Sequence, residues 1–297
     1  MTAFTKRSVM IASTLRQWIS AATVCVLLSA SSPREAAAAD ASSWDGDVRS
    51  AVRLVAGSGA NPGGDALRAG VEIRLAAGWK TYWRYPGDSG VPPAFDFSKS
   101  DNVKSIAIMW PAPHRMIDDG GSSIGYKGDV ILPLRIVPQD SKRPVTLRLG
   151  IDYAICEKLC VPAKGSAQID LGRAPSAYDA PLAAAEAKVP KAARLGEAGP
   201  LAIRTIRREP GVPHPHVVVE VEAPAPPPLD LFVEGPTADW ALPLPEPVVG
   251  GTPGLHRFVF ELDGLPAGAD SAGARLRFTL VSGDDAIDVL AVPEQGR

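Results

Sequence analysis

The sequence is poor in cysteine, histidine and aromatic residues, and it has almost no net charge. Its 297 residues include three cysteines and four histidines, aromatic side chains make up 6% of the chain, and the formal net charge is -2. A charge this small gives no broad basic surface, which argues against nucleic-acid binding. With so few cysteines, no second ligand pair stands at the spacing of a structural zinc site. We therefore predict neither a bound metal nor a cofactor.

Long apolar runs are also lacking once the first 40 residues are passed. In that first segment Lys6 and Arg7 supply positive charge, residues 18–30 are mostly apolar, and an alanine tract at 36–39 offers a cleavage site. The apolar run is shorter than the roughly 20 residues of a membrane-spanning helix. We therefore interpret residues 1–39 as a cleaved signal peptide rather than an anchor. We expect an exported, periplasmic protein with no stable membrane insertion, in a compartment where cysteine pairs form disulfides.

Glycine and proline are plentiful, with 28 and 29 residues, and this favours short strands and turns over long helices. From residue 71 onward apolar and polar residues alternate repeatedly, which is typical of half-buried strands. The alternating sets are Val71/Ile73/Leu75, Ile106/Ile108/Trp110, Val145/Leu147/Leu149/Ile151/Tyr153, Ala167/Ile169/Leu171, Val217/Val219/Val221, Phe258/Phe260/Leu262 and Leu276/Phe278/Leu280. Several short strands at this spacing predict an antiparallel β-sandwich.

The alternation stops between residues 174 and 199, where alanine and charged residues dominate. Asp179 followed by Pro181 predicts the start of a helix there. We therefore predict an all-β protein of two sandwich domains joined by a short helical linker. The expected bounds are 40–173 for the first domain, 174–199 for the linker and 200–297 for the second domain.

Cys156 and Cys160 directly follow the clearest strand pattern, with three residues between them. If the chain turns there, the two Cα atoms can come within the roughly 4.4–6.8 Å that a disulfide needs. A structural disulfide is the usual interpretation in an exported protein, but closing so small a loop gains only roughly 2 kcal/mol, against about 4–5 kcal/mol for a loop of ~100 residues. A closely spaced pair near the surface is readily reached by another thiolate. The residues alone support exchange and a structural role about equally.

A second hypothesis concerns copper. Met109, His114 and Met116 lie close together in sequence, and thioether and imidazole groups combined with thiolates suit Cu(I). The simpler interpretation is that Met109 belongs to the core and His114 to a loop. A non-catalytic adaptor or copper-handling protein with a structural disulfide is therefore the alternative to exchange, and a hydrolase is a distant third.

Three segments together resemble a known family: residues 78–84, 126–134 and 153–162. Their order and spacing are similar to those of the N-terminal periplasmic domain of DsbD-type thiol:disulfide interchange proteins, in the longer variant found in ScsB-like copper-tolerance proteins. The resemblance covers about residues 71 to 171. It implies an immunoglobulin-like sandwich in which Cys160 bonds transiently to partners and Cys156 resolves the mixed disulfide.

The resemblance also implies that Tyr82 and Tyr126 lie near the cysteines and that an acidic loop containing Asp118 and Asp119 covers them. Two departures are visible: the cysteines are closer together than is typical of the family, and the acidic loop lacks the family's aromatic residue. The implied partners are thioredoxin-like periplasmic proteins, including disulfide isomerases or cytochrome c maturation proteins, and a membrane electron conduit in a separate protein. We therefore expect an electron-relay component of a protein-disulfide reductase system.

Overall fold

The structure is a computed structural model that describes residues 39–58, 66–87, 89–118, 121–224, 228–250 and 252–296. Within the predicted signal peptide, residues 1–38 lie outside the described residues, and so does Asp119. In the described part of the chain, no helix has the length and apolar character needed to cross a membrane.

The first half of the described chain folds into two antiparallel sheets. Their strands are β1 (Asp45–Gly46), β2 (Ser50–Ala56), β3 (Leu67–Leu75), β4 (Lys80–Gly87), β5 (Ala94–Asp96), β6 (Val103–Ile108), β7 (His114–Asp118), β8 (Gly121–Lys127), β9 (Val130–Pro138), β10 (Val145–Cys156) and β11 (Cys160–Leu171). One sheet has the order β1-β2-β3-β9-β6 and the other the order β11-β10-β4-β8-β7, with β5 paired to β10. Buried apolar side chains from both sheets form one core, so the two sheets make a sandwich.

The second half contains the single helix of the described residues and two further sheets. The elements are α1 (Asp179–Ala187), β12 (Lys191–Ala193), β13 (Ala202–Glu209), β14 (His216–Glu222), β15 (Leu229–Glu234), β16 (Glu246–Val248), β17 (His256–Glu261), β18 (Leu276–Ser282), β19 (Asp285–Ala291) and β20 (Glu294–Gln295). The sheet orders are β12-β19-β18-β15 and β16-β17-β14-β13-β20. They enclose a second apolar core.

The predicted all-β, sandwich-type fold is confirmed. The alternating sets fall in β3, β6, β10, β11, β14, β17 and β18, although Leu262 lies one residue beyond the end of β17. The set around Ile106 fits least well, because β6 ends at Ile108 and leaves Trp110 outside the strand. Ile106 and Ile108 are only half-buried, since β6 is the edge strand of its sheet.

Helix α1 lies in the predicted linker but is docked on the first sandwich. Leu182 on the helix is fully buried, and Arg68 on β3 forms an ion pair with Glu186 at 2.9 Å. Strand β12, also inside the predicted linker, pairs with β19 of the second half. The helix is thus part of the first sandwich's packing, while the exact domain bounds stay a prediction.

The two sandwiches pack closely against each other within one compact unit, residues 38–297. Phe232 on β15 joins the first core and lies 6.0 Å from Trp83 on β4, measured between ring centroids. Arg84 on β4 forms an ion pair with Glu234 on β15 at 2.7 Å. Because apolar and charged contacts both cross this junction, the second sandwich directly supports the strand β4 that passes the cysteines.

Candidate functional site

The cysteines close the hairpin formed by β10 and β11. Cys156 and Cys160 are directly opposite each other in the antiparallel ladder, and their sulfurs form a disulfide with the Cα atoms 4.1 Å apart. The intervening residues Glu157, Lys158 and Leu159 are exposed. The cysteines therefore lie where the sequence predicts them, at a tight turn that follows a strand near the surface.

The two cysteines differ sharply in exposure. Cys156 is 5% exposed and packs with Tyr82 and Ala154 in a small apolar cluster, whereas Cys160 is exposed. An approaching thiolate can therefore reach Cys160, while Cys156 is shielded by its neighbours.

Strand alternation separates the cysteines from the first core. On β10, Tyr153 and Ile155 point into the core, so Ala154 and Cys156 point the other way. Directly paired residues on neighbouring strands share a face. We use the name disulfide face for this outer face of the β11-β10-β4-β8-β7 sheet around Cys156, Cys160, Lys80, Tyr82 and Ser123.

Tyr82 makes direct contact with the disulfide, as the resemblance implies. Its hydroxyl lies 3.1 Å from Cys160 Sγ, and a disulfide sulfur has no proton to give, so the phenol is the donor. The ring is 3% exposed. Gly90 lies so close that an added Cβ would come within 2.6 Å of two ring carbons. Only glycine at position 90 therefore lets the chain pass over this ring.

Lys80 and Ser123 are members of the disulfide face that the sequence analysis did not identify. Lys80 is the ladder partner of Cys156 and is only 6% exposed. Its Nζ donates to Ser123 Oγ on β8 at 3.1 Å. The sequence did contain a signal for Lys80. It lies two residues before Tyr82 in the same strand, so the two side chains share a face of the sheet.

Tyr126 does not lie on the disulfide face. Its neighbour Gly125 is the ladder partner of Tyr82, so Tyr126 points to the opposite side, where it joins the first core. Its hydroxyl donates to the carbonyl oxygen of Pro111 at 2.8 Å, and burial raises its pKa well above the ordinary tyrosine value. Tyr126 is thus a buried core residue with a satisfied hydroxyl, on the opposite face of the sheet from the disulfide.

The acidic stretch that begins at Asp118 is largely strand rather than loop. Asp118 is the last residue of β7, and its ladder partner Gly121 is the first residue of β8. Ser122 and Ser123 continue β8. Asp119 lies outside the described residues, so its expected role near the cysteines stays a prediction.

The three residues considered for copper are not brought together. His114 and Met116 on β7 are ladder partners of Gly125 and Ser123, and therefore share the disulfide face. Met109 lines a separate cavity of 390 Å³ beside Leu134. Among the described residues there is no group of three or more His, Cys, Asp or Glu side chains suited to a metal.

The residues from Gly121 to Gly125 spell Gly-x-Ser-x-Gly, the string of a hydrolase nucleophile turn. Ser123 at its centre lies inside β8 rather than on a strand-to-helix turn, and it is 1% exposed. Its hydroxyl is held by Lys80. The string consequently gives no support to the hydrolase hypothesis.

Fold and site together define a β-sandwich protein with a half-exposed disulfide at the end of one hairpin. Residues 51–170 match the family model described as "Thiol:disulfide interchange protein DsbD, N-terminal". The resemblance expected from the sequence is thereby confirmed for this segment, which contains both cysteines.

A solved structure shares the fold over nearly the whole described chain. The crystal structure of the N-terminal periplasmic domain of ScsB from Proteus mirabilis superimposes with a TM-score of 0.68 at 22% identity, covering 87% of this chain and 100% of that chain. Among curated proteins, none matches the sequence. The coverage shows that both sandwiches, and not the first alone, belong to the shared fold.

Proposed function

We propose that this chain is a periplasmic thiol–disulfide exchange module that relays reducing equivalents through Cys156 and Cys160. The observation that carries the proposal is the unequal exposure of the two cysteines, with Cys160 exposed and Cys156 only 5% exposed. Exchange proceeds by attack of a thiolate on a reachable disulfide sulfur. Cys160 is therefore the residue that bonds to partners, and Cys156 is the residue that leaves and later resolves.

The reaction begins when a thiolate of a reduced dithiol partner attacks Cys160 Sγ. A bond forms between the partner and Cys160, the Cys156–Cys160 bond breaks, and its electron pair leaves on Cys156. The partner's second thiolate then attacks its own bonded sulfur and releases Cys160. The partner loses two electrons and becomes a disulfide, while this chain gains them as a dithiol and takes up two protons. The same steps in reverse reduce an oxidised partner.

Tyr82 assists the exchange at Cys160, the cysteine whose sulfur forms the mixed disulfide. Its hydroxyl, 3.1 Å from Cys160 Sγ, donates a hydrogen bond that strengthens when Cys160 becomes a thiolate, because charge-assisted hydrogen bonds are the stronger ones. The buried ring holds the hydroxyl in place. Tyr82 thus stabilises the thiolate form of Cys160 after each transfer.

The proposed partners are thioredoxin-like periplasmic proteins on one side and a separate membrane electron conduit on the other. The family match over residues 51–170 and the periplasmic location of the ScsB domain support this assignment. Exchange between sulfurs needs no cofactor. Disulfide isomerases and cytochrome c maturation proteins are the expected recipients of the electrons.

The experiment is a trapping assay in the periplasm with matched single-cysteine variants. In Cys156→Ala the resolving sulfur is gone, so the exposed Cys160 should accumulate mixed disulfides with thioredoxin-like proteins, seen on non-reducing gels and identified by mass spectrometry. In the control Cys160→Ala the remaining sulfur is buried and should trap nothing.

Equal trapping by both variants, or trapping by neither, contradicts the proposal. Absence of adducts from both would instead favour the adaptor hypothesis, in which the disulfide only braces the hairpin. As the control for misfolding, both variants must be full-length and as stable as the wild type.

A further inference from the structure

We propose that Gly90 is a positioning residue for the exchange reaction: because it has no side chain, the chain can cross closely over the ring of Tyr82 and keep the tyrosine hydroxyl at Cys160. This inference rests on the proposed exchange function. It adds to that function a residue that acts through Tyr82 rather than on the sulfurs themselves.

The ring of Tyr82 is buried although it lies on an outer face of its sheet. Its exposed fraction is 3%, and it packs in a small apolar cluster with Ala154 and Cys156. A side chain on an outer face needs a further cover to be withdrawn from water this completely. The chain at Gly90 belongs to that cover, since the atoms nearest to a Cβ built there are two carbons of the Tyr82 ring.

The chain doubles back to reach the ring. Strand β4 carries it away from Tyr82 as far as Gly87, whose φ of 79° lies in the left-handed region that favours glycine. The chain then returns, so that Gly90 contacts the ring of a residue eight positions earlier in the sequence. Two glycines thus have separate tasks, one at the turn and one at the crossing.

The crossing leaves no room for a side chain. A Cβ on Gly90 would lie 2.6 Å from both Cδ1 and Cε1 of Tyr82 and 2.8 Å from Cβ of Pro86. Carbon atoms in ordinary contact are about 3.5–4.0 Å apart. An alanine would therefore force the ring or the crossing chain to move by about an ångström, and either movement releases the ring from its place.

The place of the ring matters because its hydroxyl contacts one reacting atom. Tyr82 Oη lies 3.1 Å from Cys160 Sγ, and hydrogen bonds weaken steeply as they lengthen or bend. The hydroxyl is at the far end of the ring from the backbone, so a tilt of the ring displaces it. A hydrogen bond to the thiolate favours the charged form and lowers the pKa of the thiol. Gly90 consequently affects how much of Cys160 is thiolate.

The chain offers a matched control glycine on the same face of the sheet. Gly150 lies on β10, six residues before Cys156, so strand alternation places both on the disulfide-bearing face. A Cβ on Gly150 would meet Cβ of Asp96 at 3.7 Å, an ordinary contact. Alanine therefore fits at position 150 and does not fit at position 90.

The test measures the pH dependence of Cys160 alkylation by iodoacetamide, read by mass spectrometry, in protein carrying Cys156→Ser so that Cys160 is a free thiol. Gly90→Ala and Tyr82→Phe should each raise the midpoint by about half to one pH unit, because each removes the hydrogen bond to the thiolate. Combined, they should raise it no further than Tyr82→Phe alone, since residues that act through one contact are not additive. Gly150→Ala should leave the midpoint unchanged.

Gly87→Ala is a milder variant in case Gly90→Ala does not fold. Its added Cβ would meet Ile124 and Ser122 rather than the ring, but it strains the turn before the crossing, and we expect a smaller rise. Unchanged midpoints in both glycine variants, or equal rises when Tyr82→Phe is also present, would overturn the inference. Because alkylation needs no protein partner, this failure is distinct from failure of the proposed function, which the trapping assay tests.

Discussion

The first sandwich carries its cysteines, a buried lysine and a buried tyrosine on one outer sheet face, whereas the second sandwich places acidic side chains of β15 against the first. Glu234 and Asp230 on β15 contact Arg84 and Arg115 of the first sandwich. Two domains of similar architecture thus differ in where their polar groups lie.

This difference indicates that the first sandwich carries the site and the second supports it. The disulfide face lies on the β11-β10-β4-β8-β7 sheet, and two strands of that sheet, β4 and β7, are the ones that the second sandwich contacts through Arg84 and Arg115. A site that exchanges covalent bonds needs a rigid frame, because small displacements of reacting atoms are costly. The second sandwich is well placed to supply that rigidity.

The largest expected effect comes from breaking the apolar junction. Phe232→Ala removes a fully buried ring that packs beside Trp83, and we expect a loss of about 3–5 kcal/mol in the free energy of unfolding, as for other buried aromatic truncations. Urea unfolding measures it. The exposed Val249, changed to Ala, is the control and should change little; an equally small effect at Phe232 would mean that the sandwiches do not share a core.

A somewhat smaller effect is expected from the charged part of the junction. Arg115 donates to Asp230 at 3.0 Å and to Glu246 at 2.7 Å, and its side chain is only 10% exposed. Arg115→Met leaves Asp230 without this partner and should cost about 1–3 kcal/mol of unfolding free energy.

The control for Arg115 is Lys164→Met, which breaks an exposed ion pair with Asp152. That change should cost less than about 1 kcal/mol. If both substitutions cost the same, the junction's ion pairs contribute no more than surface pairs do.

Tyr82→Phe should leave stability nearly unchanged but slow exchange. The substitution keeps the buried ring and removes the hydroxyl that donates to Cys160. The loss of one hydrogen bond corresponds to roughly fivefold in rate, measured with glutathione disulfide at neutral pH. Tyr153→Phe, which removes a hydroxyl paired with Ser50 on the other side of the sheet, is the matched control and should not change the rate.

The smallest effect concerns pH. Burial raises the pKa of Asp230, although Arg115 opposes the shift. Because the folded pKa lies above the unfolded value of about 3.9, this group favours the folded state below the unfolded pKa, and its contribution is lost as pH rises through the folded pKa. The stability of wild type relative to Asp230→Asn should therefore decline slightly as pH rises from about 4. A relative gain over that range would contradict the sign.

Alternation in the sequence was enough to predict the sandwich class and the strands β10 and β11, because in a half-buried strand every second side chain is more buried than its neighbours. The junction could not be predicted that way, since Phe232 looks like any core residue until a second domain covers it. The cysteine hairpin and Tyr82 were predictable from the resemblance. The motif did not show that Tyr126 faces the core, because a motif identifies the strand but not the face to which a side chain points. Lys80 was missed because the sequence does not show that a charged side chain will be buried.

The most direct test of the account is the reduction potential of the Cys156–Cys160 pair, measured by equilibrating the protein with glutathione redox buffers and quantifying free thiols by mass spectrometry. An exchange site should titrate at a potential higher than about -300 mV, within the range of thioredoxin-like proteins. A pair that stays oxidised at potentials below about -300 mV, as structural disulfides do, would contradict the claim that the Cys156–Cys160 disulfide is opened and reformed in exchange.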